Sequence, residues 1–468
     1  MEKILNTIKK IIPKKLFKKL QPAYHFSLSW FSAFWYRHPS EKLIIIGVTG
    51  TTGKTTSVYL IAKMLEDAGY KTGYTSTAMF NDGKKEWLND KKMTMPGRFF
   101  TQKILRDMIK NNCKYAVVET TSEGIKQFRH KFINYDILVF TGLYPEHIES
   151  HGSFENYKKA KGELFKHLEK CGIKYSDDKK IVKKAETGIK KIDLNKIKKT
   201  IIVNGDDEHF DYFLKFRAEE KLFFTKSLKH KKIDDNIRII KYGDIEADAT
   251  ETVFYIDGIK IGLKLLGEFN AVNAMTAVCV GLSQNLTPRK IKKGLESIKG
   301  VPGRFERIDA GQEFSVIADY AFEPNAVDKL YETIKLFPSS RDKDNKIIHV
   351  LGSAGGGRDK ARRPELGKIA GKNADFVIVT NEDPYDEDPM EIINQVAEGA
   401  EKQGKKEEKN LFKILDRKEA IKKALSLANE KDIVLITGKG SEQAICVRDG
   451  KKIAWDDRKI ARELINML

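Results

Sequence analysis

The stretch Val48-Thr49-Gly50-Thr51-Thr52-Gly53-Lys54-Thr55-Thr56 restricts what this chain can fold into more than any other part of it. An apolar run, Leu43 to Ile46, precedes it and a helix-like stretch from Ser57 to Ala68 follows, so strand, glycine turn and helix N-terminus come in that order. That order makes an anion cradle, in which backbone N–H groups and the positive end of a helix dipole converge on one small space. Polyphosphate fits it. Lys54 adds a point charge for the β- and γ-phosphates, and Thr55 a hydroxyl for a magnesium ion. The strict pattern G-x-x-x-x-G-K-[ST] calls for glycine where Val48 stands, so this is a shortened phosphate loop, Gly50-x-x-Gly53-Lys54-Thr55.

A chain of 468 residues exceeds one ordinary core and predicts two or three domains. Lys+Arg at 85 against Asp+Glu at 66 leaves a net charge of +19, which raises nucleic acid or an anionic membrane as partners. The lysines are spread over exposed-looking helix faces and loops, so nucleic acid is not the expected partner. Cys113, Cys171, Cys279 and Cys446 stand far apart in no metal-ligand spacing, which fits a reduced cytoplasm.

Residues 3 to 19 alternate lysines with Ile, Leu and Phe, and residues 24 to 36 hold Tyr24, Phe26, Trp30, Phe31, Phe34, Trp35 and Tyr36. No run of about 20 apolar residues occurs, so no spanning helix is expected. A basic amphipathic helix followed by an aromatic cluster suits a lipid interface, and it suits equally a helix docked on the protein's own body. His25 and other polar residues interrupt the apolar part and no small-x-small site follows, which argues against a cleaved signal peptide.

From residue 41 to about 170, strand-like and helix-like segments alternate: Leu43 to Val48, a helix from Lys54, Thr72 to Thr77, a helix from Phe99 to Ile109, Tyr115 to Glu119, Ile137 to Thr141, and a helix from Phe154 to Leu168. The alternation predicts an α/β fold, a mostly parallel sheet with helices on both faces and its ligand at the carboxyl ends of the strands. Glu119 ends one such strand, where a magnesium ligand is needed; a solvated strand-end glutamate is the plain alternative. Glu146-His147-Ile148-Glu149-Ser150-His151 carries two histidines and two acids, but Pro145 and Gly152 bracket it, favouring a loop over a zinc-binding helix. On the helix from Phe154, spacing singles out none of the lysines.

The lysine-rich run 179–199 predicts a solvated insertion, and β-like runs at 221–225, 252–257 and 260–264 predict a small antiparallel edge. Gly300-Val301-Pro302-Gly303-Arg304-Phe305-Glu306 predicts a hinge turn. Beyond it, strands at Val316 to Asp319, Ile347 to Leu351, Phe376 to Thr380 and Ile433 to Thr437 predict a second, Rossmann-like α/β unit. The expected division is a basic, aromatic segment over 1–40, a central ATP-binding domain over 41–300 and a C-terminal domain over 301–468. Gly352 to Lys360 lacks the G-x-G-x-x-G order, so a dinucleotide is not expected there.

Read together, Gly50-Thr51-Thr52-Gly53-Lys54-Thr55-Thr56, Glu119-Thr120-Thr121-Ser122, Glu146-His147-x-x-x-His151-Gly152 and Tyr157-x-x-Ala160-Lys161-x-x-Leu164-Phe165 resemble the ordered motifs of the Mur ligase family. The resemblance runs from about residue 41 to the C-terminus and is closest to the branch that adds the third amino acid to a UDP-N-acetylmuramoyl dipeptide. It implies an ATP-dependent amide ligase of peptidoglycan precursor synthesis, cytoplasmic, working through an acyl phosphate. It implies catalytic roles for Lys54, Lys161 and His147, and places ATP on Gly50, Thr51, Thr52, Gly53, Lys54, Thr55, Thr56, Asn273, Arg304 and Asp319, with Asn273 at adenine and Asp319 at the ribose. Magnesium ions would lie on Thr55, Glu119, His147 and a Lys161 carbamylated by carbon dioxide. The acceptor, a UDP-sugar-peptide or a related carboxylate, would meet Thr94, Thr121 and Ser122, and the incoming amino acid would meet Asp383, Tyr385, Gly438 and Glu442.

The chain also departs from that family. Only Thr94 and Pro96 of Met93-Thr94-Met95-Pro96 match a Thr-Thr-Pro segment in relatives, and Phe322 replaces the histidine of an Asp-Tyr-Ala-His-x-Pro motif. Asp383 and Tyr385 replace the asparagine and arginine of diaminopimelate-adding enzymes, which removes a bidentate partner for a second carboxylate and leaves Glu442 available to an amine. The usual N-terminal domain that grips uridine diphosphate is expected to be lacking; an acceptor tethered at the inner face of a membrane would suit residues 1–38. The alternatives are a folylpolyglutamate-like or other amino-acid ligase, and a basic phosphate-loop NTPase acting on nucleic acid.

Overall fold

The computed structural model describes residues 14–145, 151–177, 181–182, 195–228, 234, 236–342, 344–357 and 360–467. Helix α1 (Lys14–Trp35) leads into strand β1 (Ile44–Thr49), whose six residues are all buried. An apolar run without alternation belongs in the middle of a sheet covered on both faces, and β1 sits there. Strands β2 (Thr72–Thr75), β3 (Met79–Asn81), β4 (Glu86–Leu88), β5 (Tyr115–Glu119) and β6 (Ile137–Phe140) follow. After a small sheet of β7 (Lys174–Ser176), β8 (Ile181–Val182) and β9 (Asn195–Ile197) come β10 (Thr200–Asn204), β11 (Glu220–Thr225) and β12 (Arg238–Lys241). The large sheet runs β12-β11-β10-β6-β1-β5-β2-β3-β4, parallel except for the last two strands.

Helix α2 (Lys54–Asp67) covers one face of this sheet and α3 (Arg98–Lys110) the other; the short α4 (Ser122–Lys126) and α5 (Phe154–Leu168) lie on the α3 side, and α6 (Phe269–Ser283) lies beside α2. The pleat divides β1 between the two cores: Ile44, Ile46 and Val48 pack with Val58 and Ala274, while Ile45 packs with Leu105 and Phe165. Every parallel strand therefore ends at the same edge, and that edge carries the loop 50–53.

Strands β13 (Gly243–Ala247), β14 (Thr252–Ile256) and β15 (Ile259–Leu263) form a separate antiparallel sheet. The second large sheet contains β16 (Glu306–Ile308), β17 (Ser315–Asp319), β18 (Ile347–Leu351), β19 (Phe376–Thr380), β20 (Leu411–Ile414) and β21 (Ile433–Thr437), in the order β16-β17-β21-β18-β19-β20. Only β16 is antiparallel. Helices α7 (Pro324–Ile334), α8 (Arg362–Asn373) and α9 (Pro389–Glu401) share one of its cores and α10 (Arg417–Leu427) lies in the other, with a hairpin of β22 (Ala444–Val447) and β23 (Lys451–Ala454) beyond its edge.

Three expectations need correction. The run at 221–225 is not part of the antiparallel edge: it pairs in parallel with the buried β10, across a crossover long enough to return the chain in the same direction. The lysine-rich insertion holds β8 at one end and β9 at the other, both pairing with β7, and its remaining residues lie outside those described. The aromatic cluster at 24–36 is mostly helix, for α1 continues through Pro22 to Trp35.

Candidate active site

The loop after β1 closes on itself where glycine is required. A side chain at Gly50 would place its Cβ 1.9 Å from Thr141 Oγ1, and Gly53 caps α2 at φ 78°, with Asn273 Oδ1 2.3 Å from where a Cβ would stand. Thr51 N donates to Gly142 O at 2.8 Å, and Thr141 Oγ1 donates to Thr52 O at 2.7 Å, which ties the loop to the end of β6. The Lys54 ammonium lies back on its own loop, donating to Thr51 O at 2.6 Å. The first N–H groups of α2 thus face a cavity of about 770 Å³ lined by Thr51 to Thr56.

Glu119 ends β5 directly beside this helix start and is buried. Its Oε2 accepts from Thr55 Oγ1 at 3.0 Å and from Thr77 N at 2.8 Å, while Oε1 accepts from Thr77 Oγ1 at 3.0 Å. A carboxylate and a hydroxyl at this spacing fit magnesium, a hard cation that takes few protein oxygens and completes its shell with phosphate and water. Among the described residues no group of three His, Cys, Asp or Glu could hold a metal unaided. Arg304, from the turn before β16, reaches the same place: its Nη2 donates to Thr55 Oγ1 at 3.2 Å and its guanidinium lies 4.3 Å from the centre of the Tyr320 ring.

Lys161 is buried within α5, its Nζ donating to Gly50 O at 2.6 Å and lying 4.5 Å from the centre of the Tyr157 ring. It stands behind the loop. Tyr157 OH is 3.2 Å from Thr51 Oγ1, so α5 supports the loop at two points. His151, whose imidazole is pushed below its usual range by burial, lies 3.2 Å from Ser122 Oγ and 3.3 Å from Glu123. His147 lies outside the described residues. Thr121 caps α4 through Gly124 N, and Thr94 Oγ1 lies 2.8 Å from Thr77 Oγ1; Thr94, Thr121 and Ser122 all line the cavity.

The second sheet supplies the opposite wall. Asp319, at the end of β17, accepts from Phe305 N and Ala321 N, both at 2.6 Å, and burial lifts its carboxyl above the usual range although Arg304 opposes this. Asn273 donates to Asn270 Oδ1 at 3.0 Å and abuts Gly53. Asp383, Tyr385, Gly438 and Glu442 meet at the far end. There Asp383 accepts from Lys439 Nζ at 2.9 Å, Cys446 N at 2.7 Å and Lys92 Nζ at 2.8 Å. Burial works to raise its carboxyl, but Lys439 and Lys92 together hold it below the usual range. Glu442, expected to be available, is engaged: Lys92, Lys439 and Tyr320 OH all bond it.

Residues 48–199 and 190–281 match the Mur ligase middle domain, and residues 303–440 the Mur ligase, glutamate ligase domain. A UDP-N-acetylmuramyl-tripeptide synthetase of Roseiflexus sp. is 35% identical over 94% of this chain and 82% of its own length. The chain belongs to the Mur ligase family. Another relative, a UDP-N-acetylmuramoyl-L-alanyl-D-glutamate--2,6-diaminopimelate ligase of Clostridium tetani, is 32% identical over 93% of this chain and 80% of its own. A solved structure of such a diaminopimelate ligase is 26% identical, with a TM-score of 0.55 over 91% of this chain and 78% of that one.

Some residues in or beside the cavity of this Mur ligase carry no role of their own in the sequence reading. Lys92 sits 291 residues from Asp383, and nothing local announces their pairing. Lys439 lies between two glycines, a position that keeps its backbone close to the sheet end, and it is fully buried. Arg362 and Glu382 line the cavity with buried atoms, Nε and Nη2 of the one and Oε2 of the other, that make no hydrogen bond among the described residues.

Proposed function

We propose that this Mur ligase joins the carboxylate of a UDP-N-acetylmuramoyl peptide, or a related acceptor, to the amine of an amino acid, converting ATP to ADP and phosphate in peptidoglycan precursor synthesis. One observation supports it above the rest: Arg304 of the second sheet touches the Thr55 hydroxyl of the phosphate loop, in one cavity with the Asp383 and Glu442 carboxylates. Phosphate, carboxylate and amine thereby share a single chamber.

In this reading an acceptor carboxylate oxygen attacks the γ-phosphorus and ADP leaves. The amine nitrogen then attacks the acyl carbon, loses a proton, and phosphate departs. Both steps gather negative charge between phosphates and carboxylate, where Lys54, Arg304 and the amides of residues 50 to 56 oppose it. Magnesium on Thr55 and Glu119 would supply Lewis-acid charge there. Asn273, Arg304 and Asp319 hold the nucleotide; Thr94, Thr121 and Ser122 orient the acceptor; Asp383, Tyr385, Gly438 and Glu442 receive the amino acid. His147 and a carbamylated Lys161 would complete the ligands of the metal ions. The same proposal divides the chain at residues 40 and 300 and sets the enzyme in the cytoplasm, with residues 1–38 as a peripheral contact at the inner face of the membrane.

Lys92 presents its ammonium to the two carboxylates assigned to the incoming amine, and so stands where a substrate cation would. Lys92→Met is expected to lower KM for the amino acid by about tenfold, as removal of an internal competitor does, with kcat little changed. Steady-state kinetics against the amine alone checks this, and an unchanged KM removes Lys92 from the pocket's function.

The reading as a whole is tested by incubating the protein with ATP, magnesium, UDP-N-acetylmuramoyl dipeptide and an amino-acid mixture. Product masses should show the acceptor plus one amino acid, and phosphate should appear only when both substrates are present. Phosphate release driven instead by DNA or RNA would replace the ligase with an NTPase.

A further inference from the structure

Helix α1 carries its amphipathic character the wrong way round for a surface helix. Small side chains make its inward side: Ser29, Ser32 and Ala33 are buried, Ser29 Oγ donates to Phe128 O at 2.8 Å, and Arg98 Nε donates to Ser29 Oγ at 3.0 Å. Most of its large apolar side chains are exposed, with Phe26 and Phe31 also meeting Phe132 and Phe99 on the body. Leu20, Tyr24, Phe31, Phe34 and Trp35 fall on one side at 100° per residue, with Trp30 at the margin, and Trp30, Phe34 and Trp35 are 50%, 59% and 65% exposed. The outward rings are ordered among themselves, Trp30 on Phe34 at 5.7 Å and Phe31 against Trp35 at 5.9 Å. A contiguous aromatic face held outward by hydrogen bonds on its reverse side marks an interaction surface.

We propose that this face is the docking surface for an anionic lipid bilayer, with α1 lying in the interfacial plane. Charge selects this occupant. Helix α1 carries four lysines and no acid, so two copies brought face to face would oppose like charges, whereas anionic headgroups would neutralise them. The side chains select it too: tryptophan and tyrosine concentrate at the headgroup level, where a ring and its polar tip are both accommodated. Among the described residues no helix is long and apolar enough to cross a membrane, so the contact is peripheral.

The reverse side of α1 also says which part of the enzyme would meet the bilayer. Arg98, which holds Ser29, also bonds Gln127 O, and Gln127 and Arg129 line the cavity beside Met95. The docking face therefore backs onto the acceptor end of the cavity. The inference rests on the peripheral-contact reading of residues 1–38 and needs nothing from the ligase chemistry.

The test uses the full chain in flotation with vesicles of phosphatidylglycerol and phosphatidylcholine, against vesicles of phosphatidylcholine alone, with tryptophan emission recorded. The protein should float with the anionic vesicles only, its emission should shift to the blue, and high salt should weaken the binding. The triple variant Trp30→Ser, Phe34→Ser, Trp35→Ser should lose at least about tenfold in partition while ligating soluble substrates at the parent rate. If the triple variant loses ligation too, Trp35→Ser alone must still weaken vesicle binding with ligation kept. Absence of wild-type binding to anionic vesicles, or undiminished binding by these variants, overturns the proposal. So does a solution dimer that the variants dissociate without any vesicle binding, which would make a second copy the occupant. A wild-type chain that binds vesicles but forms no amide leaves the surface standing and removes the ligase reading.

Discussion

The Lys54→Ala protein is expected to release phosphate about 10²- to 10³-fold more slowly at saturating substrates, the range for removing one preorganised donor from developing negative charge. The argument is geometric. Lys54 opens α2, its ammonium parked on Thr51 O at 2.6 Å, inside a cavity that also holds Thr55, Glu119 and Arg304. That parking contact joins a half-buried side chain to its own loop, so its loss costs at most about 1 kcal/mol of stability. Folding and catalysis are therefore separable in this variant: thermal unfolding should stay near the parent while phosphate release collapses. If release in the presence of both substrates persists, residues 50 to 56 do not hold the reacting phosphates.

The phosphate loop was legible because its information is local. Two glycines, a lysine and a threonine over six positions dictate a turn and a helix start, whatever the rest of the chain does. The central strands were legible for a related reason: β6 at Ile137–Phe140 is an unbroken apolar run and β19 at Phe376–Thr380 is one up to its last residue, and a parallel sheet buried on both faces writes itself that way. The strand at 221–225 carries the same signal, yet nothing in five residues says whether its partner runs parallel, so it was read as an antiparallel edge. Lys92 lay further out of reach, since its meaning comes only from two carboxylates in the second α/β unit. Helix α1 misled in its own way: a pattern that suited either a lipid interface or the protein's body serves the body with one side and leaves the other outward.

Lys161 was less illegible than it looked. Taken as one of several lysines on its helix it has no distinction, but helical phase sets it apart. Tyr157, Lys161, Leu164, Phe165 and Leu168 share the buried stripe of α5, whereas Lys158 and Lys159 fall off it. A lysine on an apolar stripe must have its amine satisfied inside, and Gly50 O on the phosphate loop receives it. Two roles remain open to such a group, and they differ in sign. As a cation it would simply hold the loop; as a carbon dioxide adduct it would present a carboxylate and favour a metal ion.

Substitution separates the two. Lys161→Arg keeps the positive charge and a donor for Gly50 O but cannot form the adduct. Under the adduct reading that variant should lose about 10²- to 10³-fold in amide formation, as expected when a group that would hold a metal ion opposing the phosphate charge is removed. The wild-type protein equilibrated with ¹³C-labelled carbon dioxide should show a carbamate signal that the variant lacks. An active arginine variant, together with a wild-type spectrum empty in the carbamate region, would make Lys161 a loop-supporting cation and leave Thr55 and Glu119 as the described metal ligands.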